Sequence, residues 1–229
     1  MNPKPFDQSA PRLELIAGHE YEKRAVEIAL IGNHPVCFLI NKGSEIPQLL
    51  MTANRIALEQ QIKFKGLAYF WCPCGNYGSP KDECLCKYPV IEKHLRKLAK
   101  QVSVYDIWGQ SNAYPRQFHL GEVEEEFVAR VKKARELRKA AEKELKKSDI
   151  PPAPPIQPNS PSTELIRYYQ ISISDKLDVP KVIRLAQTIA YSDHEIRIQK
   201  HHLQEALQYQ PYTMAGLQGI LKDLAGAAG

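Results

Sequence analysis

Long apolar runs are missing from this 229-residue sequence. A transmembrane helix needs about 20 consecutive apolar residues, so we expect no membrane-spanning segment. The opening stretch, MNPKPFDQSAP, also lacks the apolar core of a secretory signal. Neither charge dominates: 31 basic residues against 26 acidic ones leave a formal charge of +5, which permits an acidic partner without requiring one. We therefore expect a cytoplasmic protein that makes no membrane contact.

Cysteine is scarce, and its five copies are unevenly placed. Four of them form a Cys-Pro-Cys pair and a Cys-Leu-Cys pair with nine residues between the pairs. Such crowding suits a metal site in a reducing compartment better than a disulfide framework. Zinc favours four thiolates in a tetrahedron, so the sequence predicts a Zn²⁺ site at Cys72, Cys74, Cys84 and Cys86. Four reduced cysteines that bind no metal are the alternative.

The predicted zinc site is structural, because four protein ligands leave no coordination position for a substrate. Gly75 and Gly78 would let the backbone curve round the ion. His94 is a candidate substitute ligand, although a lone histidine on a basic helix is usually solvated. Cys37 lies in an apolar run and is predicted to be a core residue. His201 and His202 have no evident carboxylate partner, so we expect both at the surface.

Apolar patterning predicts a small α/β layer followed by helices. Strands are predicted at residues 36–40, 67–71 and 102–108. Helical spacing predicts helices near residues 19–33, 45–62, 90–98 and 122–147. These elements make up a first domain, 1–147, that includes the cysteine loop, 72–86. Six prolines in 148–162 predict an extended linker, and residues 163–229 are predicted to form a helical lid-like domain.

Three segments carry a family resemblance: CPCGNYGSPKDECLC (72–86), FVARVKKARE (127–136) and RLAQTIAYSDHEIRIQKHHLQEALQYQP (184–211). Together with IAGHEYEKRAVEIALIGNHPV (16–36), they resemble the magnesium-chelatase-like AAA+ ATPases, in particular the branch related to the bacterial competence helicase that migrates DNA branches. The resemblance covers most of the chain in the family's order. It implies a reduced AAA+-like parallel sheet of about three strands, order 3-1-2, with the strand at 36–40 in the centre.

This sequence lacks the residues that carry out ATP hydrolysis in the family it resembles. The phosphate-binding loop is degenerate at Ile40, Gly43, Ser44, Glu45, Ile46 and Pro47. Alignment puts the phosphate-binding lysine on Ile46 and the metal-linked hydroxyl on Pro47, while Glu45 would repel a phosphate. No apolar strand ends in Asp-Glu, and Val104 or Tyr105 occupies the place of the trans-acting arginine. We therefore predict no catalytic residues, no nucleotide cofactor and no ATPase activity.

Three functions follow from this interpretation. The first is a catalytically inactive, zinc-containing binding or assembly module whose partner is another protein or a related AAA+ subunit. The alternative is a nucleic-acid-binding adaptor, in which basic and aromatic side chains near the zinc loop hold a single strand. Its candidate residues are Trp71, Lys81, Lys87, Lys93, Arg96, Lys97 and Lys100. Residual ATP binding is the third function and has the least support.

Overall fold

A three-stranded parallel sheet organises the protein. The structure, a computed structural model, describes residues 10–79, 81–111, 121–147, 161–172, 177–214 and 217–221. The strands are β1 (Val36–Ile40), β2 (Gly66–Phe70) and β3 (Ile107–Ser111). Their order is β2-β1-β3, with Val36 opposite Gly66 on one side and Ile107 on the other. The predicted α/β class and the central place of β1 are confirmed.

The third strand was predicted too early. Residues 102–108 were expected to be extended, but Val102–Val104 form a 3₁₀ turn and β3 starts at Ile107. The backbone N–H of Ile107 donates to the carbonyl of Pro35, so the ladder starts where β1 starts. Residues 102–104 come before the first residue pair of the ladder, Val36 and Ile107, so β1 offers them no partner.

Seven α-helices with defined ends surround the sheet in the part of the chain that the structure describes, and residues 217–221 are helical as well. They are α1 (Glu20–Gly32), α2 (Ile46–Glu59), α3 (Tyr88–Ala99), α4 (Glu124–Lys147), α5 (Pro161–Ser172), α6 (Val179–Ser192) and α7 (Lys200–Gln208). No helix within these described ranges is long and apolar enough to cross a membrane. Each helix predicted before the linker is present, with ends shifted by a few residues.

The last two residues of the predicted linker are helical. Helix α5 begins at Pro161, inside the segment 148–162 that was predicted to be extended. Proline suits the first turn of a helix because the N–H groups there have no intrahelical acceptor, so its missing N–H costs nothing. The other linker residues, 148–160, lie outside the described part of the chain.

Two apolar clusters cover the two faces of β1, and all five β1 residues are buried. Phe38 joins the larger cluster, to which α1, α2, α4, α6 and α7 also contribute. Cys37 and Leu39 join the smaller cluster, formed with α3, Trp71 and the helical residues 217–221. Cys37 is thus a core residue, as predicted, and burial raises the pKa of its thiol to about 12.

Charged contacts hold the C-terminal helices against α1. The Arg24 guanidinium lies 3.0 Å from a carboxylate oxygen of Glu205 on α7 and 2.8 Å from Asp193 after α6. At the C-terminal end of α1, Arg135 of α4 donates to the carbonyls of Leu30 and Ile31. A cation at this position complements the negative end of the α1 dipole.

Candidate metal centre

The four clustered cysteines meet in space. The Sγ atom of Cys72 lies 3.3 Å from that of Cys74 and 3.6 Å from that of Cys84, and Cys74 and Cys84 are 3.7 Å apart. With Cys86 included, all four sulfurs lie within 4.8 Å of one another. Such a group can hold a metal ion.

Local backbone geometry brings the first cysteine pair together. Gly75 and Gly78 both adopt positive φ, 79° and 73°, and this curves the loop round the sulfurs as predicted. The backbone N–H of Asn76 donates to the Cys74 sulfur at 3.4 Å, and that of Tyr77 donates to the Cys72 sulfur at 3.3 Å. N–H groups directed at sulfur stabilise its thiolate form.

Crowding makes the thiols differ in acidity. The backbone N–H of Asn76 and the thiol of Cys72 lower the pKa of Cys74 to about 7. A backbone hydrogen bond from Cys86 also favours the Cys84 thiolate, but burial and the thiols of Cys72 and Cys74 raise the pKa of Cys84 to about 12. Four thiolates this close repel one another, so full ionisation requires a cation among them.

The cysteine loop lies on the turn between β1 and α2. The backbone N–H of Lys42 donates to the carbonyl of Gly75 at 2.6 Å, and the Asn41 side-chain amide donates to the carbonyl of Gly78 at 2.8 Å. Asn41 is fully buried. Part of the carboxyl edge of the sheet is therefore covered by the cysteine loop.

Three backbone N–H groups of this turn already have acceptors within the protein. Besides Lys42, the N–H of Ser44 donates to the carbonyl of Asn41 at 3.2 Å, and the N–H of Ile46 donates to the Ser44 hydroxyl at 3.3 Å. Pro47 has no N–H to offer. The Glu45 carboxylate lies 3.9 Å from the His19 ring. A P-loop also needs a lysine at the start of the helix, and there α2 has Glu45, Ile46 and Pro47 instead.

His94 does not join the cysteine group. Its Nε2 lies 2.9 Å from the carbonyl oxygen of Phe70, and its ring stacks on Tyr69 with centroids 4.6 Å apart. The sequence suggested it as a substitute ligand because it follows the loop closely. In the fold, this histidine instead connects α3 to the exposed end of β2.

The residues predicted to bind nucleic acid differ in their exposure to solvent. Trp71 is only 7% exposed and packs in the smaller cluster, so its ring cannot stack on a base and this part of the prediction is wrong. Arg96 is half-buried and donates to Glu92 at 2.6 Å. The five lysines are exposed along the loop and helix α3: Lys81, Lys87, Lys93, Lys97 and Lys100.

A second potential metal group comprises Asp193, His201 and His202, whose ligand atoms lie within 4.8 Å of one another. His202 was expected at the surface without a carboxylate partner. That expectation is wrong, since His202 is fully buried and its Nε2 lies 3.4 Å from Asp193. Its Nδ1 accepts the backbone N–H of Gln199 at 2.9 Å, so the neutral ring carries its proton on Nε2. Neither nitrogen of His202 then has a lone pair free for a metal.

One buried network of polar side chains was not predicted from the sequence. The Nδ1–H of His34 donates to Asp106 at 2.8 Å, and its Nε2 lies 2.8 Å from the Thr188 hydroxyl. Arg184 and Lys181 lie 3.0 and 3.5 Å from the same carboxylate. His34, Asp106 and Thr188 are each less than 9% exposed, so no substrate can approach the hydroxyl. The network connects α6 to the sheet.

The fold and site define a small α/β protein with a four-cysteine group at the carboxyl end of a parallel sheet. No protein-family model matches the chain, and no curated protein matches it either. Ligands of open α/β sheets bind at the carboxyl ends of the strands. Any functional site of this fold is therefore expected at this edge first.

Proposed function

We propose that this chain is a catalytically inactive relative of the magnesium-chelatase-like AAA+ ATPases and acts as a zinc-containing binding or assembly module. The observation that carries the proposal is the contact between the cysteine loop and the β1–α2 turn. Lys42 and Asn41 donate to loop carbonyls there, in the place where a P-loop would present donors to phosphate.

Charge supports the same conclusion. To bind a nucleoside triphosphate with Mg²⁺, a P-loop protein needs a lysine and a hydroxyl side chain at the start of the helix after β1. Here α2 starts with Ile46 and Pro47 instead. The apolar side chain of Ile46 cannot donate a hydrogen bond to a phosphate oxygen, and Pro47 has no N–H that could. Glu45 adds repulsion that would be strong in a poorly solvated site.

Zinc is the metal that best fits the four thiols. Sulfurs about 2.3 Å from a tetrahedral Zn²⁺ lie about 3.8 Å from one another. The separations of 3.3, 3.6 and 3.7 Å are close to this value. Thiolate ligands also favour soft or borderline metals over magnesium or calcium. The ion would connect the segment after β2 to the segment before α3 and so stabilise the fold directly.

Two features support a protein partner: exposed apolar side chains in and next to the cysteine loop, and the open edge of β2. Leu85 is 85% exposed and Tyr88 is 71% exposed, and Phe70 and Tyr77 add further exposed aromatic surface. Nearby, no described element pairs with the outer edge of β2. An open edge and adjoining apolar side chains are features that proteins normally cover. We propose that a protein partner, such as a related AAA+ subunit, covers them.

ATP with Mg²⁺ is expected to show no saturable binding to the purified, zinc-loaded protein. Isothermal titration calorimetry up to about 1 mM nucleotide covers the range in which ATP-using enzymes normally saturate. An intact P-loop ATPase titrated in parallel serves as the positive control. Saturable binding with release of heat in this range, or density for a nucleotide at the β1–α2 turn, would refute the inactive-ATPase proposal.

Nucleic-acid binding is the second candidate, favoured by one specific arrangement. Lys93 and Lys97 of α3 and Lys100 at its C-cap are exposed and recur at helical spacing, which predicts a basic stripe leading away from the cysteine loop. Tyr88, the first residue of α3, and Tyr77 in the cysteine loop are exposed, and they replace Trp71 as rings available for stacking.

If this surface binds single-stranded DNA, the double substitution Lys93→Gln/Lys97→Gln is expected to reduce the slope of log affinity against log salt by about 1.4, since each lost phosphate contact removes about 0.7. Fluorescence anisotropy with an oligonucleotide at several salt concentrations measures this slope. The matched control is Lys139→Gln/Lys143→Gln on α4, an exposed pair with the same spacing on a helix of the other cluster. Equal slopes in both variants would exclude the α3 surface.

A further inference from the structure

The four cysteines of the candidate metal centre differ in their access to solvent. Cys74 is exposed, whereas Cys72 is fully buried. Cys84 and Cys86 are half-buried. The residue before Cys74, Pro73, is exposed as well, so this side of the loop faces water. A small solute that approaches the group therefore meets Cys74 first.

The exposed sulfur adjoins all three of the others. The Sγ atom of Cys74 lies 3.3 Å from that of Cys72 and 3.7 Å from that of Cys84. A hydrogen bond also joins it to the thiol of Cys86. The sulfurs of a disulfide are about 2.05 Å apart, so the two measured separations need to shorten by about 1 to 2 Å to form one.

A bound metal ion would keep Cys74 in its reactive form. Cysteine ligands of zinc are thiolates, and the thiolate rather than the thiol is the nucleophile. The backbone N–H of Asn76 is directed at the same sulfur and stabilises its negative charge. Oxidation of cysteine follows thiolate character and exposure, and Cys74 combines the two.

We propose that Cys74 is a modification site at which a hydroperoxide oxidises the cysteine group, and that this oxidation releases the metal ion. Because release presupposes a bound ion, the proposal rests on the zinc centre of the proposed module. It adds a regulating reaction and a class of substrate to that centre.

The reaction has two steps. In the first, the Cys74 thiolate attacks one oxygen of hydrogen peroxide, the O–O bond breaks and hydroxide leaves, which makes Cys74 a sulfenic acid. In the second, a neighbouring thiolate attacks the Cys74 sulfur, the S–O bond breaks and a second hydroxide leaves, which makes a disulfide. The two thiolates together lose two electrons, and the peroxide gains them and ends as two hydroxide ions. Two thiolates remain, too few to hold a structural zinc ion.

Loss of the ion would alter the surface that the module presents. Tyr77 and Leu85 are exposed side chains of the same loop, and the carbonyl of Gly75 accepts the backbone N–H of Lys42 in the β1–α2 turn. A thiol that reduces the disulfide restores both ligands, so the change is reversible. Peroxide would thus control whether the loop is held in its binding form.

The test treats the whole purified protein with hydrogen peroxide in the presence of a chromophoric zinc chelator. The expected result is the loss of one zinc and of two free thiols per chain, both restored by dithiothreitol followed by zinc. Mass spectrometry then locates the disulfide, which is expected to include Cys74. In a second sample, dimedone traps the sulfenic acid, and its adduct is expected on Cys74 before any other cysteine. A disulfide without Cys74, or a first adduct on another cysteine, would overturn the proposal.

Met51 provides an internal measure of the oxidant dose. It is 39% exposed, and peroxide converts an exposed methionine to its sulfoxide. Zinc release is expected at doses that leave Met51 intact. Oxidation of Met51 while all four thiols and the ion remain in place would show that the cysteine group is not a peroxide target.

Two variants separate Cys74 from the other cysteines. Cys74→His keeps a fourth zinc ligand that peroxide does not convert to a disulfide, since three cysteines and one histidine form a common zinc site. This variant is expected to lose the rapid zinc release. The matched control, Cys37→Ala, removes a buried cysteine outside the group and is expected to release zinc as fast as the unsubstituted protein. Rapid release from a zinc-loaded Cys74→His would contradict the proposal, and if that variant binds no zinc, the dimedone adduct on the unsubstituted protein decides.

Metal analysis of the untreated protein distinguishes a failure of this proposal from a failure of the proposed function. Protein that contains zinc but keeps it under peroxide would overturn the peroxide reaction alone and leave the zinc-containing module intact. Protein that never contains zinc would refute the zinc centre itself, and metal release with it.

Discussion

Replacing Cys72 and Cys84 together with serine is expected to abolish stable folding. The change removes one thiolate from each pair and leaves Cys74 and Cys86, too few ligands to hold a structural ion. Structural zinc contributes about 10 to 16 kcal/mol in small zinc domains. That is comparable to the whole free energy of unfolding of a typical domain, about 5 to 15 kcal/mol.

Thermal unfolding followed by circular dichroism, together with metal analysis, measures this effect. The unsubstituted protein is expected to contain one zinc per chain and to unfold cooperatively. The double variant is expected to contain no stoichiometric zinc and to show no cooperative transition. A strong chelator added to the unsubstituted protein is expected to produce the same loss, since the ion contributes to folding only while it is bound.

Cys37 provides the matched control for this experiment. It is a buried cysteine in β1 and belongs to the core, outside the four-thiol group. Cys37→Ala is expected to keep its zinc and to lose about 1 kcal/mol, the centre of the distribution for single substitutions. A melting curve that is the same before and after the Cys72/Cys84 change, or before and after chelation, would remove the structural-metal interpretation.

The sequence was sufficient for the features that local pattern determines. β1 was predicted residue by residue because all its side chains are apolar, which is the property of a strand buried on both faces. The four-cysteine group followed from spacing alone, since two close pairs joined by a flexible loop can meet with little constraint. Neither prediction required knowledge of distant residues.

Features that depend on distant partners were not predictable. His202 resembles a surface histidine in sequence, and only the packing of α7 buries it. Trp71 adjoins a basic loop, yet the fold assigns its ring to the core. The His34–Asp106 contact joins residues 72 positions apart, and the His34–Thr188 contact spans 154 positions. One sequence holds no signal that pairs residues at such separations.

Asp106→Ala is expected to destabilise the protein by about 3 kcal/mol, because it leaves a buried histidine and a lysine without their carboxylate. Arg184 is 61% exposed, so water compensates most of its loss. Asp106→Asn is the matched control, since an amide oxygen can still accept the His34 proton, and a smaller loss is expected. Urea unfolding at pH 7 measures both values. Equal, near-zero losses would show that the buried network does not stabilise the contact between α6 and the sheet.

The pH dependence of the same residue provides the sharper test. Burial would raise the pKa of Asp106, but the His34 hydrogen bond and the charges of Arg184 and Lys181 outweigh it and lower the pKa below its usual value. The unfolded chain therefore takes up the proton first as pH falls, starting near the ordinary aspartate pKa of about 3.9. Stability from Asp106 is thus complete above that pH and disappears as pH falls through the folded-state pKa. The difference in unfolding free energy between the unsubstituted protein and Asp106→Asn is expected to be largest at neutral pH and to shrink below about pH 4. Because asparagine does not titrate, a difference that stays constant down to about pH 2.5 would mean that this carboxylate is not held as an anion in the fold.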